Sequence, residues 1–579
     1  MNRKKIITLS IVSILIISTI AILYNTYYKS KVYENNKAEK NIYNKMISIY
    51  LEKSYDSGQY ELSTSSKWPT GYQFNKSLSY CEGGSSLSWD DSDNSVSVNT
   101  RITDKCYVYF DKYLSAKLNN VSTEDTLTNS FTMVISATPG KNEIVKYLYS
   151  LDDGQNYIET TNNIVSVTGL TKNTLYRLKV YAVDSEGIKS NILSTSVQTP
   201  DKVVLADFIK SKYTGTQGQN SLYYHDNTLT NGAGDNSYRY AGADFVLTDK
   251  AKNAGYKSVI ASSSTEKTEI IYFSCGSSQS FVGALCDATD NTPRYRLRYD
   301  SAGTVYSTFG AALDKAVEDG YITKDNVKNF VCFGSTADTC PEMNLYRIIG
   351  VFGDQIKLIK YDYSNRTDIG TGGEYYGLST SFRSGSRNNP ESHYSYYWNY
   401  KTNKKASSDW STSLLNTTNL NTNLINYLTS TWTNKIANTT WKVSGYNSQT
   451  VTVKNMYTNE ITNATKEYVL DGKSKIGLMY TSDYGYAADP SAWSTTLDKY
   501  YTTAVKSNNW MWMGHNEWTL TPYSSTTSNS SALAIGIGGA VNTSANSTEA
   551  CVRPSFYLNA DVTLADGLGT IDKPYRIEI

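Results

Sequence analysis

Residues 6–23, opening on Ile6 and closing on Leu23, form an unbroken run of 18 residues without a charge, a proline or a glycine. At 1.5 Å per residue a helix of this length covers about 27 Å, close to the roughly 30 Å hydrocarbon core of a bilayer. Arg3, Lys4 and Lys5 precede it, and Tyr24, Tyr27 and Tyr28 follow at the depth where amphipathic rings settle among headgroups. Residues 1–29 therefore read as a membrane anchor formed by a transmembrane helix. A cleaved signal peptide is the alternative, but no small-x-small site follows the run, and Thr19, Ile20 and Ala21 lie inside it. No second apolar run of this length occurs, so the rest of the 579-residue chain is expected on one side of the membrane. Lys29, Lys31, Lys37 and Lys40 flank the other end, so basic residues leave the orientation open.

The cysteines favour the outside. All seven lie beyond the apolar run, and six fall into local couples: Cys81 with Cys106, Cys275 with Cys286, and Cys332 with Cys340, leaving Cys551 over. Disulfides persist in oxidising compartments, and closing a 15-residue loop contributes about 3 kcal/mol in the chain-entropy view. Spacing alone does not fix the connectivity, and Cys551 could displace one of these partners. A zinc site is disfavoured because the chain holds no CxxC and only three histidines, His225, His393 and His515. No metal or other cofactor is expected.

With 55 basic and 54 acidic residues the net charge is +1, which removes any electrostatic case for nucleic acid. The 50 tyrosines suit polar β-sheets and binding surfaces alike. A/T-rich codon usage enriches tyrosine equally, so the count selects no function.

Residues 30–57 carry an apolar stripe at helical spacing, Ile42, Met46, Ile49 and Tyr50, ending before Gly58, and predict a stalk helix. A basic, apolar start with a long helix resembles type IV pilin-like proteins, but the Gly-Phe-Thr-Leu-x-Glu processing signal is missing. Residues 58–118 hold Cys81 and Cys106 around two strand-like segments and predict a small disulfide-closed β unit. In residues 119–200, Phe131, Met133, Ile135 and Ala137 alternate with polar neighbours, as do Tyr176, Leu178, Val180 and Ala182, with turns at Pro139-Gly140, Asp153-Gly154, Gly169 and Glu186-Gly187. That is the period of half-buried strands at sandwich spacing. Through Tyr149 to Gly154, Val167 to Tyr176, Val180 to Gly187 and the closing Val197 to Pro200, this segment resembles a fibronectin type III domain. The resemblance implies a β-sandwich with Leu170 and Tyr176 at a tyrosine corner. The early-strand Trp of that family is absent, which also admits another immunoglobulin-like sandwich.

Residues 201–579 read as one large α+β domain. Residues 345–352 and 355–360 form a hairpin about Gly353 and Asp354, residues 308–319 a helix stopped by Gly320, and residues 416–428 a helix facing inward through Leu420, Leu424, Tyr427 and Leu428. Trp410 with Leu414, Leu415 and Asn416, then Trp518-Thr519-Leu520-Thr521-Pro522, the glycines between Ile535 and Val541, Val552-Arg553-Pro554, and Gly567, Gly569 and Pro574-Tyr575 occur in the order of an uncharacterised bacterial surface-module family, which this region resembles. The closing pattern is similar to C-type-lectin-like folds. Relative to that family, residues 245–327 look like an insertion.

The densest constellation for chemistry is Trp510, Trp512, His515, Asn516 and Glu517, aromatic faces beside hydrogen-bonding groups, the mixture a ligand pocket needs. Alternating large apolar groups also describe a core strand, and Trp518 suits the core better than a ligand. A second candidate is the polar, aromatic stretch from Thr371 to Gly377, including Tyr376, with Arg383, Arg387 and Tyr394 to Tyr397. Asp90, Asp91 and Asp93 lack the glycine and distal Glu of a calcium loop. Ser264 with Lys267, and Ser92-Asp93-Asn94, match fragments of a penicillin-binding site in the wrong order, and no Lys-Thr-Gly follows. Glu374, Asp483, Asp489 and Glu517 are the carboxylates available to a glycosidase. The expectation is a non-enzymatic cell-surface protein, anchored in the cell membrane with an extracellular C-terminal module that binds a glycan or protein. A cell-wall-active hydrolase and a structural or pilin-like surface component are the alternatives.

Overall fold

The computed structural model describes residues 47–65, 69, 71–90, 95–99, 104–253, 258–263, 269–274, 295–296, 317–323, 326–379, 393–401, 407–444, 448–464, 467–468, 475–506, 508–513, 515–525, 528–536 and 538–579. The membrane run, Cys275, Cys286, Arg383, Arg387, most of the expected stalk and most of the 308–319 helix lie outside these residues. Among the described residues no helix is long and apolar enough to cross a membrane. The chain divides into two compact units, the first holding residues up to 198 except 127–130 and 169–173, the second the remainder.

The first described strand of this unit, Ile47–Glu52, lies where the sequence predicts a helix. Ile47–Glu52 runs parallel to Cys106–Lys112 and antiparallel to Tyr60–Leu62, while Tyr72–Phe74 and Tyr80–Cys81 join Cys106–Lys112 antiparallel. Ile49 and Tyr50 satisfy helical and strand spacing alike. Ile47, Ile49 and Leu51 also alternate with Ser48 and Tyr50, β-branched residues favour the pleat, and pairing with a distant strand decides the outcome. The β unit therefore starts ahead of residue 58. Cys106, Val108 and Phe110 are buried on one face of their strand. Tyr107 and Tyr109 take the other, stacked on Tyr80 and Tyr50 with ring centroids 5.1 and 4.9 Å apart. Cys81 and Cys106 are cross-strand register partners joined by a disulfide, their Cα atoms 4.0 Å apart.

The same unit contains a seven-stranded β-sandwich. One sheet orders Ile158–Thr160, Ile144–Ser150, Leu175–Asp184 and Leu193–Gln198; the other orders Ile164–Val167, Phe131–Thr138 and Lys117–Glu124. Phe131, Met133 and Ile135 from one sheet and Leu178, Val180 and Ala182 from the other are buried, as their alternation requires. This is the fibronectin type III-like sandwich that the sequence pattern implies.

The second unit is organised by a nine-stranded sheet. Its path runs Ile476–Leu478, Pro554–Tyr557, Gln355–Lys360, Leu345–Phe352, Phe330–Cys332, Tyr575–Ile577 and Leu564–Asp566, and the hairpin of Leu222–His225 and Ser237–Tyr240 pairs onto Leu345–Phe352. Leu345–Phe352 and Gln355–Lys360 meet across the expected two-residue turn, where Gly353 takes φ +61°. Gly350 sits at a register shift in this hairpin, and a Cβ there would come within 2.4 Å of the Tyr238 carbonyl oxygen. The helix expected at 416–428 spans Leu415–Leu424, with π-type bonding, and Ile425–Thr433. Leu420, Leu424 and Leu428 are buried in it. In the 245–327 segment, Val246–Leu247 pairs with Ile322–Thr323, so its two ends lie side by side. Ser258–Ser263, Glu269–Ser274 and Tyr295–Arg296 form a sheet of their own within it. Cys332 and Cys340 form a disulfide, and Cys551 is a free, buried thiol.

Candidate functional site

The aromatic constellation around Trp510 lies mostly inside the second unit. Residues 510–513 are turn and coil, and a strand, Glu517–Ser525, begins only afterwards. Trp510 is 1% exposed, donates its indole N–H to the Tyr240 carbonyl at 2.9 Å, and has the Arg347 guanidinium 4.5 Å over its ring. Trp512 is buried in the same apolar cluster, and Trp518 donates to the Tyr396 carbonyl at 2.8 Å. Glu517 is buried against Arg553, whose Nε and Nη2 donate to its two oxygens at 2.7 and 3.0 Å while Nη2 also donates to the Met511 carbonyl at 2.7 Å. Burial pushes the Glu517 carboxyl up and Arg553 pulls it back in part. His515 is half-buried, lowered to about 4 by desolvation, and stands edge-on to Tyr363; Asn516 is exposed. Of the five residues, only His515 and Asn516 reach solvent. The large rings serve packing, because polar atoms next to them are satisfied within the protein.

Tyr376 belongs to a different surface. Tyr375–Ser379, His393–Tyr397 and Glu549–Ala550 form a three-stranded antiparallel sheet. Tyr376 is 48% exposed and stands edge-on to Tyr397 at 5.4 Å, Tyr397 leans on Tyr400 at 5.0 Å, and the Lys401 ammonium lies 5.8 Å from the Tyr397 ring centre. Beneath them, buried Glu374 accepts the backbone N–H of Tyr400 at 3.1 Å and of Lys401 at 2.9 Å, and its own N–H donates to Asn419 Oδ1 at 3.0 Å. Burial raises the Glu374 carboxyl, and those backbone donors oppose the rise. The chain after Trp398 is thus held against the first strand, and three rings and an ammonium form one braced, solvent-facing patch. Tyr400 and Lys401 lie just beyond the stretch that the sequence marks, and the only signal for them is that they continue its run of tyrosines from Tyr394.

The other carboxylates that could serve a hydrolase all have partners. Asp483 accepts from Lys357 Nζ at 2.6 Å and from the Tyr480 N–H at 2.8 Å, and Asp489 accepts from Ser491 Oγ at 2.6 Å. A cleft of 290 Å³ opens beside Trp432, Ser335 and Arg576, but the Arg576 guanidinium donates to the carbonyls of Ser335 and Asp338 and so braces the loop closed by Cys332–Cys340. Among the described residues no group of His, Cys, Asp and Glu is arranged to hold a metal ion.

His225 gives this unit a pH dependence. Nδ1 accepts the Ala233 N–H at 3.1 Å, the ring is edge-on to Tyr486, and buried Nε2 has no hydrogen-bond partner among the described residues. Burial, then the charge of Arg239, holds its pKa well below 6.5. Below that value the unfolded chain binds a proton that the folded protein refuses, so the His225 contribution to stability is lost as pH falls. In urea denaturation, His225→Phe should gain stability relative to wild type between about pH 7 and pH 5. Parallel stability curves for the two proteins would contradict this.

No family model matches the chain, and no curated protein is significantly similar to it. Solved structures that are similar include a myokine structure, at 18% identity and TM-score 0.14, covering 15% of this chain and 98% of that one. The fourth fibronectin type III domain of a human protein, at 23% identity and TM-score 0.14, covers 16% and 81%, and the PKD1 domain of Vibrio anguillarum Epp, at 16% identity and TM-score 0.13, covers 15% and 98%.

Proposed function

We propose that this chain is a membrane-anchored, extracellular surface protein whose C-terminal unit recognises a glycan or protein ligand without chemically altering it. The anchor is the apolar run from Ile6 to Leu23, and the Cys81–Cys106 and Cys332–Cys340 disulfides suit an oxidising exterior. The sandwich acts as a spacer in this reading. The observation that carries it is the braced patch of Tyr376, Tyr397 and Tyr400 with Lys401. Exposed Tyr376, packed on the half-buried ring of Tyr397 and through it on half-buried Tyr400, loses little entropy on binding, offers an apolar ring to a sugar or side chain, and keeps a hydroxyl for hydrogen bonds. A binding role is favoured over hydrolysis because Glu374, Asp483, Asp489 and Glu517 are each tied to backbone donors, a hydroxyl or a buried cation rather than left to exchange protons with a substrate. Tyr376→Ala in the full chain is expected to weaken binding to cell-wall glycan fragments about tenfold while leaving the melting temperature unchanged. Undiminished binding by the variant would contradict the assignment of the patch.

A further inference from the structure

Lys357 is a primary amine in the middle of the nine-stranded sheet. It is fully buried, and its Nζ lies 4.2 Å from the ring centre of Tyr480, 5.3 Å from that of Tyr557 and 5.4 Å from that of Trp441. Its hydrogen-bond partner is Asp483 Oδ2 at 2.6 Å, on the helix Thr481–Tyr486. A second buried carboxyl caps the same helix. Buried Glu460 accepts the N–H of Thr481 at 2.9 Å, the N–H of Ser482 at 3.0 Å and the Thr521 hydroxyl, so it sits over the same helix start that carries Asp483. On the far side, Arg239 Nη1 lies 3.7 Å from Asp483 Oδ1, its Nη2 being paired with Asp235 at 2.6 Å.

We infer that Lys357 and Asp483 condense after folding into an intramolecular amide. The aromatic surroundings favour neutral forms over ions, and desolvation lowers the Lys357 pKa, although Asp483 opposes that. Burial likewise raises the Glu460 carboxyl, to about 7. Proton transfer within the pair leaves an amine and a carboxylic acid. The amine lone pair attacks Asp483 Cγ, forming the C–N bond, and electrons move onto Oδ1, which Arg239 faces. The Cγ–Oδ2 bond then breaks, and Oδ2 leaves as water with its own proton and one passed directly from the nitrogen across their 2.6 Å contact. An ammonium and a carboxylate together contain every atom of an amide and a water, so no co-reactant is needed. The fold supplies the proximity that a bimolecular reaction lacks.

The other buried ion pairs differ in chemistry or in reach. Arg347–Asp244 and Arg553–Glu517 use guanidinium groups, which stay protonated and are not nucleophiles. Lys360 faces Asp368 only eight residues away, so a bond there would tie the chain only locally. An amide between residues 357 and 483, 126 positions apart, would staple the central sheet to a helix and suit a chain under mechanical load at a cell surface.

The test is peptide mass spectrometry on the folded full chain after reduction, alkylation and tryptic digestion. The expected result is a branched peptide joining the Lys357 and Asp483 segments, lighter by one water than its two arms, with no tryptic cleavage after Lys357. Lys357→Met should lack the branch while near-ultraviolet circular dichroism still reports a packed fold. Recovery of linear peptides cleaved after Lys357 from the folded wild type would overturn the inference. So would a branch through Lys360 and Asp368 alone.

Discussion

Arg553→Met is expected to destabilise the second unit by about 3–5 kcal/mol, the range for removing one partner of a buried ion pair. The pair itself need not add net stability, since desolving both ions offsets much of their attraction. The cost arises because Glu517 stays behind. It is 2% exposed, its two oxygens accept from Nε and Nη2 of Arg553, and the same guanidinium satisfies the Met511 carbonyl. Without Arg553 the carboxyl must bind a proton to remain buried, so the defect should shrink as pH is lowered toward the ordinary carboxyl range. Guanidinium denaturation followed by tryptophan fluorescence at two pH values measures both effects. A pH-independent loss below about 1 kcal/mol would show that water or a neighbouring cation replaces Arg553.

Trp510→Ala should cost about 3–5 kcal/mol as well, through loss of packing rather than loss of a ligand contact. The indole is almost fully enclosed, supplies the partner of the Tyr240 carbonyl, and covers one face of the Arg347 guanidinium, whose other contacts include Phe330 at 4.3 Å and a bidentate pair with Asp244 at 2.7 and 2.8 Å. Its removal leaves a cavity beside a buried cation. The denaturation midpoint should fall with little change in slope, and binding per folded molecule should be preserved. Lost ligand binding at unchanged stability would return Trp510 to the ligand site.

What could be read from the sequence was local. The sandwich strands announce themselves by alternation and glycine turns, and the hairpin at Gly353 needs only six to eight residues on either side. The Cys81–Cys106 and Cys332–Cys340 bridges join neighbours in sequence. Local pattern misleads where the deciding partner is remote. Ile49 and Tyr50 fitted a helix until their pairing with Val108 and Tyr109 is known. Glu517 and Trp510 looked like ligand groups because Arg553 and Arg347 are far away in the chain, whereas exposed Tyr376 gained meaning only when Tyr397, Tyr400 and Glu374 were placed around it. Burial of charge is a property of tertiary contact, and no periodicity encodes it.

We propose recognition without chemistry. The most direct measurement is titration of the full chain in detergent micelles with cell-wall fragments and defined glycans, with chromatography of the supernatant for released products. Saturable binding that Tyr376→Ala weakens, with every ligand recovered intact, is the predicted result. Release of cleaved fragments, or failure to bind any of these ligands, would contradict it.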